Sequence, residues 1–583
     1  MKAFINLLTF LKPYRLYAII GPLFMFLEVA MDLMQPMIMQ LIIDNGIANQ
    51  DSSYVIKMGA LMIVLAIIGL VGGIGCSIYS TKAAVNFATD IRSNAFRKIE
   101  LFSGKNTDSF GTGKLITIAT NDITSLQAAL MMTLRIFVRG PLLFIGSIIL
   151  VYVTARELFP ILVCIIVFLM ICIILFTKKA GKLFKQVQEA IDKVNTKLQE
   201  NLAGIRVVKA FGREAFEKSG FLQVNSYLTK VNTSADQVIM ALMPAMLFLI
   251  NLGIIAALWF GVIKVEQGTI QVGVILAFIN YLTITMNALM TSSNVLIQIT
   301  RALPSAERIQ QVFDMKIDIQ EVDKPYVSSK IKGDVEFRNV CFSYSKNGEL
   351  VLKNITFSAK QGEKIGIIGA IGSGKSTLIK LISRLYDPDS GEIFIDGVNS
   401  KEYKLENLRK SIGFVSQRAT LFSGTIADNI RFGKEDGTIK EIEIATDAAC
   451  ATEFIRKVDD EYLHPLMQGG NNLSGGQKQR LSIARALVRK LAILIMDDST
   501  SAVDTLSERA IQKALREQYN DTTKIIISSK LSSIIDADQI LIMEDGKITG
   551  TGTHHELLKK NETYQEICRI QLGKEGMMHE SAC

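Results

Sequence analysis

The sequence predicts two fold classes in series. An all-α membrane domain of six transmembrane helices with long cytoplasmic extensions comes first, and an α/β phosphate-loop domain follows. Three observations carry this. Six long apolar segments fill the first half of the chain. The run Gly369-Ala370-Ile371-Gly372-Ser373-Gly374-Lys375-Ser376, with Thr377 behind it, reads G-x-x-x-x-G-K-[ST], a phosphate-binding loop. From Gly333 onward, strand and helix patterns alternate with glycine-rich turns. The expected boundaries are 1–300 for the membrane domain, 301–332 for a linker, 333–572 for the α/β domain and 573–583 for a polar tail. The 583 residues are 49% hydrophobic and the mean hydropathy is +0.29, high for a soluble protein. The net charge of +8 gathers beside the apolar spans and not in runs interleaved with aromatics. That fits contact with membrane lipid and argues against a nucleic-acid partner. The seven cysteines show no metal-ligand spacing.

Taking the elements in order, Phe4 to Pro13 reads as an amphipathic helix at the membrane surface. The apolar segments lie near Leu16–Ile43, Ile56–Tyr79, Ala129–Thr154, Phe159–Phe176, Val238–Val262 and Ile270–Ile297. Each reaches the roughly 17–25 residues that a spanning helix needs. Connections after the second and fourth segments are long, polar and helical in pattern. They carry most of the basic residues of the membrane domain, from Lys82 to Lys114 and from Lys178 to Lys230. The positive-inside rule therefore places both long connections and both termini in the cytoplasm, with Trp259 near the outer interface. Glu28 and Asp32 share one face of the first span. Carboxylates at that depth are costly. They form either a binding point for cationic substrates or a structural hydrogen-bonding cluster. Arg135 and Arg139 repeat the spacing near the cytoplasmic start of the third span, where lipid phosphates or a helix extension would satisfy them. Methionines such as Met25, Met34, Met243 and Met286 pack these helices and suit an adaptable apolar cavity.

In the second half, Glu363–Ile368 reads as a buried strand and Lys375–Ile382 as the helix after the loop. Glycines turn backbone N–H groups toward phosphates, and the helix N-terminus favours negative charge. Lys375 is placed to reach the terminal phosphates and Ser376 to hold Mg²⁺. Tyr344, in the strand-like run Val340–Tyr344, is in position to stack on adenine. Ile493–Asp497 is a buried strand ending in a metal-binding carboxylate. Gln417 follows the strand Ile412–Val415, where it can touch metal or attacking water. Leu473-Ser474-Gly475-Gly476-Gln477 opens a helix and makes a second anion site.

The phosphate loop, Gln417, LSGGQ and the Asp-ended strand, in this order after six spans, resemble an ABC transporter of the exporter type. Thr120-Asn121-Asp122, Glu200–Phe211 and Ser305-Ala306-Glu307-Arg308-Ile309 also look like segments of that family. The resemblance covers essentially the whole chain. It implies a half-transporter in the plasma membrane of a bacterium, working as a dimer with ATP and Mg²⁺. ATP would lie between the phosphate loop of one subunit (Gly369, Gly372, Ser373, Gly374, Lys375, Ser376, Thr377, with Tyr344 and Gln417) and Ser474, Gly475, Gly476 and Gln477 of the other. It also implies that short helices near Phe110–Leu115 and Gly204–Phe211 press on the nucleotide domains.

Two positions depart from the family pattern. Asp498 stands where a Glu general base is usual, one methylene shorter. Its carboxylate would sit about 1.5 Å back, and a misplacement of about 1 Å can cost about 10²-fold. Ser529 stands where a switch His is expected. A third, weaker change is Gln468, where an acidic residue is common. Beside an intact LSGGQ, these changes predict the degenerate-site subunit of a heterodimeric multidrug-type exporter, partnered by a second half-transporter and carrying a small amphipathic substrate. Export of a lipid or peptide is the alternative within the class. An ATP-gated channel or a regulatory subunit is the alternative outside it.

Overall fold

The computed structural model describes residues 2–580 apart from 329 and 346–347, and not the side chains of 293–298, 301 or 572–580. Two compact units result. One takes the chain up to Glu100 together with Thr112–Met315; the other takes Leu101–Gly111 and the chain from Lys316 onward.

The first unit is all helix. Among the described residues, six helical stretches are long and apolar enough to cross a membrane. The expected spans continue without a break into the polar connections. Ser52–Glu100 is one helix of 49 residues, Phe159–Ala203 one of 45 and Glu214–Glu266 one of 53. Apolar residues therefore give way to charged ones along a single rod, because helical hydrogen bonding is indifferent to which solvent the side chains meet. Val272–Asp314 passes through Pro304, so part of the expected linker is helix. Two distant segments meet here. Arg308 donates from Nε (2.8 Å) and Nη2 (2.5 Å) to the buried carboxylate of Asp122, and Ser305 Oγ donates to the same group at 2.8 Å. Such a bidentate pair fixes register as well as charge.

The second unit is α/β. Its strands are β1 (Val335–Phe342), β2 (Leu352–Ala359), β3 (Lys364–Gly369), β4 (Ser390–Ile395), β5 (Val398–Asn399), β6 (Ile412–Val415), β7 (Gly424–Thr425), β8 (Pro465–Leu466), β9 (Ile493–Asp497), β10 (Thr523–Ile527), β11 (Gln539–Glu544) and β12 (Lys547–Gly552). The main sheet runs β12-β11-β3-β10-β9-β6. All its neighbours are parallel except the edge pair β11–β12. Both faces are apolar, as a covered parallel sheet requires. Ile493 and Ile495 join the core on one side, Leu494 and Met496 that on the other. A second sheet, β2-β1-β4-β5, is antiparallel.

One expectation is corrected. The short helix of the first long connection that packs in this unit is Gly104–Phe110, not Phe110–Leu115; Thr112–Thr117 belongs to the first unit. Ser103 and Asn106 form a capping box that starts the helix six residues early. Tyr386 Oη then donates to Asp108 at 2.8 Å, and Asn106 Nδ2 to the carbonyl of Lys316 at 3.1 Å. In the expected polar tail, the helix Glu562–Glu580 continues past residue 572; residues 581–583 lie outside the described set.

Candidate nucleotide site

The topology brings the motifs together. The strands β3, β10, β9 and β6 lie side by side and parallel, so their carboxyl ends form one edge. The phosphate loop follows β3, Ser529 follows β10, Asp497 and Asp498 end β9, and Gln417 follows β6. Ligands of open parallel sheets bind outside this edge.

Within the phosphate loop, Gly374 caps the helix Lys375–Ile382 with φ of 95°, a left-handed conformation in which a side chain would be strained. Lys375 Nζ donates to the carbonyls of Gly369 (2.8 Å) and Ala370 (2.7 Å). Burial lowers its pKa, opposed by Asp497 and Asp498. Ser376 Oγ donates to Asp497 Oδ1 at 2.9 Å. Asp497 is buried, and burial raises its pKa against the Ser376 bond and nearby lysines. Ser373 Oγ is buried with no hydrogen-bond partner. A buried orphan hydroxyl beside the N-terminus of the helix Lys375–Ile382 fits a phosphate, and the adjacent hydroxyl and carboxylate oxygens fit Mg²⁺.

Tyr344 lies two residues beyond the end of β1, not within a strand. Its hydroxyl shares a 3.0 Å hydrogen bond with Thr377 Oγ1, and its ring packs edge-on against Tyr386 at 5.3 Å. It is 37% exposed, leaving part of the ring open to stack on a base.

Asp498 occupies left-handed backbone, φ 45°. Its Oδ1 accepts from the N–H of Ser529 (3.2 Å) and from Ser529 Oγ (3.1 Å). Its Oδ2 accepts from Gln417 Nε2 at 3.4 Å. The two unusual positions are thus hydrogen-bonded to each other. Sequence reasoning considered each separately and missed that pairing, because strand adjacency of β9 and β10 is not written in either motif.

Ser474 caps the helix Gly475–Leu487 through a capping box with Gln477. Among the described residues, no hydrogen bond joins Ser474, Gly475, Gly476 or Gln477 to the phosphate loop.

In the first unit, Glu28 and Asp32 are joined by a residue that the sequence suggested would be satisfied elsewhere. Arg139 Nη2 lies 2.9 Å from Asp32 and 3.3 Å from Glu28. It pairs with these two carboxylates. Asp32 and Arg139 line a cavity of about 370 Å³ with Leu143, Ile284, Asn287 and Thr291.

Comparison with known proteins fits this arrangement. Residues 18–289 match the family "ABC transporter transmembrane region", and residues 352–501 match "ABC transporter". An uncharacterized ABC transporter ATP-binding protein of Bacillus subtilis, YfiB, is 41% identical over 98% of this chain and 99% of its own. The ATP-dependent lipid A-core flippase of Aliivibrio fischeri is 31% identical over 91% of each. A solved structure of a bacterial Atm1-family ABC exporter with ATP bound has the same fold, with TM-score 0.78 and 24% identity over 96% of this chain and 98% of that one. The chain therefore belongs to the ABC transporter family, as an ATP-driven exporter half-transporter in which a six-helix membrane domain is fused to an ATP-hydrolysing domain.

Proposed function

We propose that this chain is one subunit of a heterodimeric exporter of amphipathic or hydrophobic compounds, and that its own phosphate loop binds MgATP but hydrolyses it poorly. Exporters of this kind typically dimerise. In this reading Tyr344 stacks on the adenine. Gly369, Gly372, Ser373, Gly374, Lys375 and Thr377 hold the phosphates, and Ser376, Gln417 and Asp497 hold the metal. When bound, MgATP supplies the phosphoryl group whose transfer to water drives the cycle. The chain's own residues orient the nucleotide and hold the dimer closed. Its Ser474, Gly475, Gly476 and Gln477 serve the partner's phosphate loop. The membrane is the plasma membrane of a bacterium, with both termini and the nucleotide domain cytoplasmic.

The observation that carries this reading is the Asp498–Ser529 pair. A general base must hold an attacking water within about 2.6–3.2 Å. Asp498 is a methylene short, and Ser529 directs both its donors at Asp498. A partner with Glu and His at these positions would build the faster site.

For the substrate, the Asp32 carboxylate lines the cavity beside Arg139. This favours a cationic amphiphile. Lipid export is the second reading, favoured by the relationship to a lipid A-core flippase. The test is ATP hydrolysis by the purified full chain in lipid bilayers, alone and with the product of an adjacent half-transporter frame. Slow turnover alone and fast, substrate-stimulated turnover together is the expected result. Vigorous turnover by this chain alone overturns the reading.

A further inference from the structure

The final helix, Glu562–Glu580, reaches the switch segment through one side chain. Gln571 Nε2 donates to the carbonyl of Ser529 at 2.8 Å, and Gln571 Oε1 accepts from the N–H of Leu531 at 2.8 Å. A primary amide carries both a donor and an acceptor, so it can pair with a backbone carbonyl and N–H that flank one residue, as a neighbouring strand would. The flanked residue is Lys530, whose Nζ lies 3.2 Å from Glu508 and whose N–H donates to Ser528 Oγ at 3.0 Å. Glu508 also accepts from Thr500 Oγ1 at 3.0 Å, and from Ser533 Oγ. The switch segment is thus gripped from one side by a buried carboxylate and from the other by the last helix.

These contacts lead to the reacting end of the sheet. Ser529 follows β10 and gives its N–H and its hydroxyl to Asp498 Oδ1. Asp498 stands in left-handed backbone, and its Oδ1 takes both of its donors from that one residue. Gln571 fixes the peptide on the carboxyl side of Ser529, the residue that supplies both donors.

We propose that Gln571 is a positioning residue for ATP hydrolysis: it holds Ser529 in register with Asp498, and makes the placement of the C-terminal helix a determinant of turnover at this site. The proposal rests on the reading of Asp498 as the general-base position. Gln571 itself is exposed at the surface and does not touch the nucleotide loop among the described contacts. Its effect is therefore on the rate of the chemical step and not on nucleotide binding.

The test uses the full chain in lipid nanodiscs, with single-turnover hydrolysis measured over a range of ATP concentrations. Four proteins are compared: the unmodified chain, Gln571→Met, Asp498→Ala and the double variant. Methionine keeps the length of the side chain and removes both hydrogen bonds. The expected result is a fall in the rate constant of about threefold to tenfold for Gln571→Met. Half-saturation for ATP should stay within about twofold. In the Asp498→Ala background the same change should add nothing, since the group that it positions is gone. Gln571→Glu is the second variant. It keeps the acceptor for Leu531 but sets a carboxylate against the carbonyl of Ser529, so it should be at least as slow as Gln571→Met. An unchanged rate constant in both variants overturns the proposal. So does the same fall in the Asp498→Ala background, or a parallel rise in half-saturation, either of which makes Gln571 a brace of the fold. The absolute rate of the unmodified chain judges separately whether the site is weak; the ratios judge Gln571.

Discussion

Two serine–aspartate pairs stand side by side at the carboxyl edge of the main sheet, and they have opposite surroundings. Ser376 and Asp497 meet at 2.9 Å. Ser529 and Asp498 meet at 3.1 Å. Asp497 is buried, and burial pushes its pKa up despite the hydrogen bond from Ser376 and the neighbouring lysines. A buried carboxylate with only one hydroxyl donor is incompletely satisfied, and a divalent cation completes it. Asp498 is half-buried and receives three donors, two from Ser529 and one from Gln417. It is satisfied by protein alone. The same two side-chain types therefore make a site that calls for a ligand in one place and a closed hydrogen-bonded unit in the other. Surroundings, not residue type, separate binding from catalysis along this edge.

The largest effect is expected where the comparison is broken on the binding side. Ser376→Ala removes the hydroxyl that would ligate Mg²⁺ and leaves Asp497 Oδ1 without its donor. A hydrogen bond to a buried charged group is worth about 1.5–3 kcal/mol. Mg²⁺-dependent ATP affinity should therefore fall by about 10- to 100-fold. Titration of the full chain with ATP, with Mg²⁺ and with a chelator, checks this. The fall should appear only with the metal; an equal fall in chelator would place Ser376 on the phosphates alone.

A gain comes next. Asp498→Glu with Ser529→His restores the longer base and a side chain long enough to face a terminal phosphate. Hydrolysis by this chain alone should rise by about tenfold or more. The two changes should act together, because each residue is the other's hydrogen-bond partner. Phosphate release by the single and double variants measures this. Equal, additive gains would mean that positions 498 and 529 act independently of each other.

The outlines of both units were legible in the sequence, because apolar length and strand-and-helix periodicity are local signals. The strands Ile412–Val415 and Ile493–Asp497 and the helix from Lys375 lie where the pattern put them. What the sequence did not reveal is long-range pairing. Arg139 with Glu28 and Asp32, Arg308 with Asp122, and Gln571 with Ser529 each join residues more than forty positions apart. The helix of the first connection starts six residues before the expected place for a different reason. Its start is set by the Ser103–Asn106 capping box, a weaker local signal than the Gly111 that ends it. For the candidate site, residue types were readable at every position, but Ser529 read as a missing histidine. Only the adjacency of β9 and β10 turns it into a partner of Asp498.

The smallest effect is expected from Ser529→Ala, the counterpart of Ser376→Ala in the second pair. It removes one of three donors to a half-exposed carboxylate, and the backbone N–H of residue 529 still reaches Asp498. Water can replace the lost hydroxyl, so the cost is that of one ordinary hydrogen bond, about threefold in the hydrolysis rate of this chain. ATP affinity should not move, since Ser529 gives its donors to Asp498 and not to the phosphate loop. Single-turnover rates and ATP titrations on the two alanine variants, run side by side, turn the comparison into a ratio. Ser376→Ala should change affinity by at least about tenfold more than Ser529→Ala does. If instead Ser529→Ala weakens ATP binding as strongly, its hydroxyl must leave Asp498 for the nucleotide in the closed dimer. The second pair would then be a switch and not a closed unit.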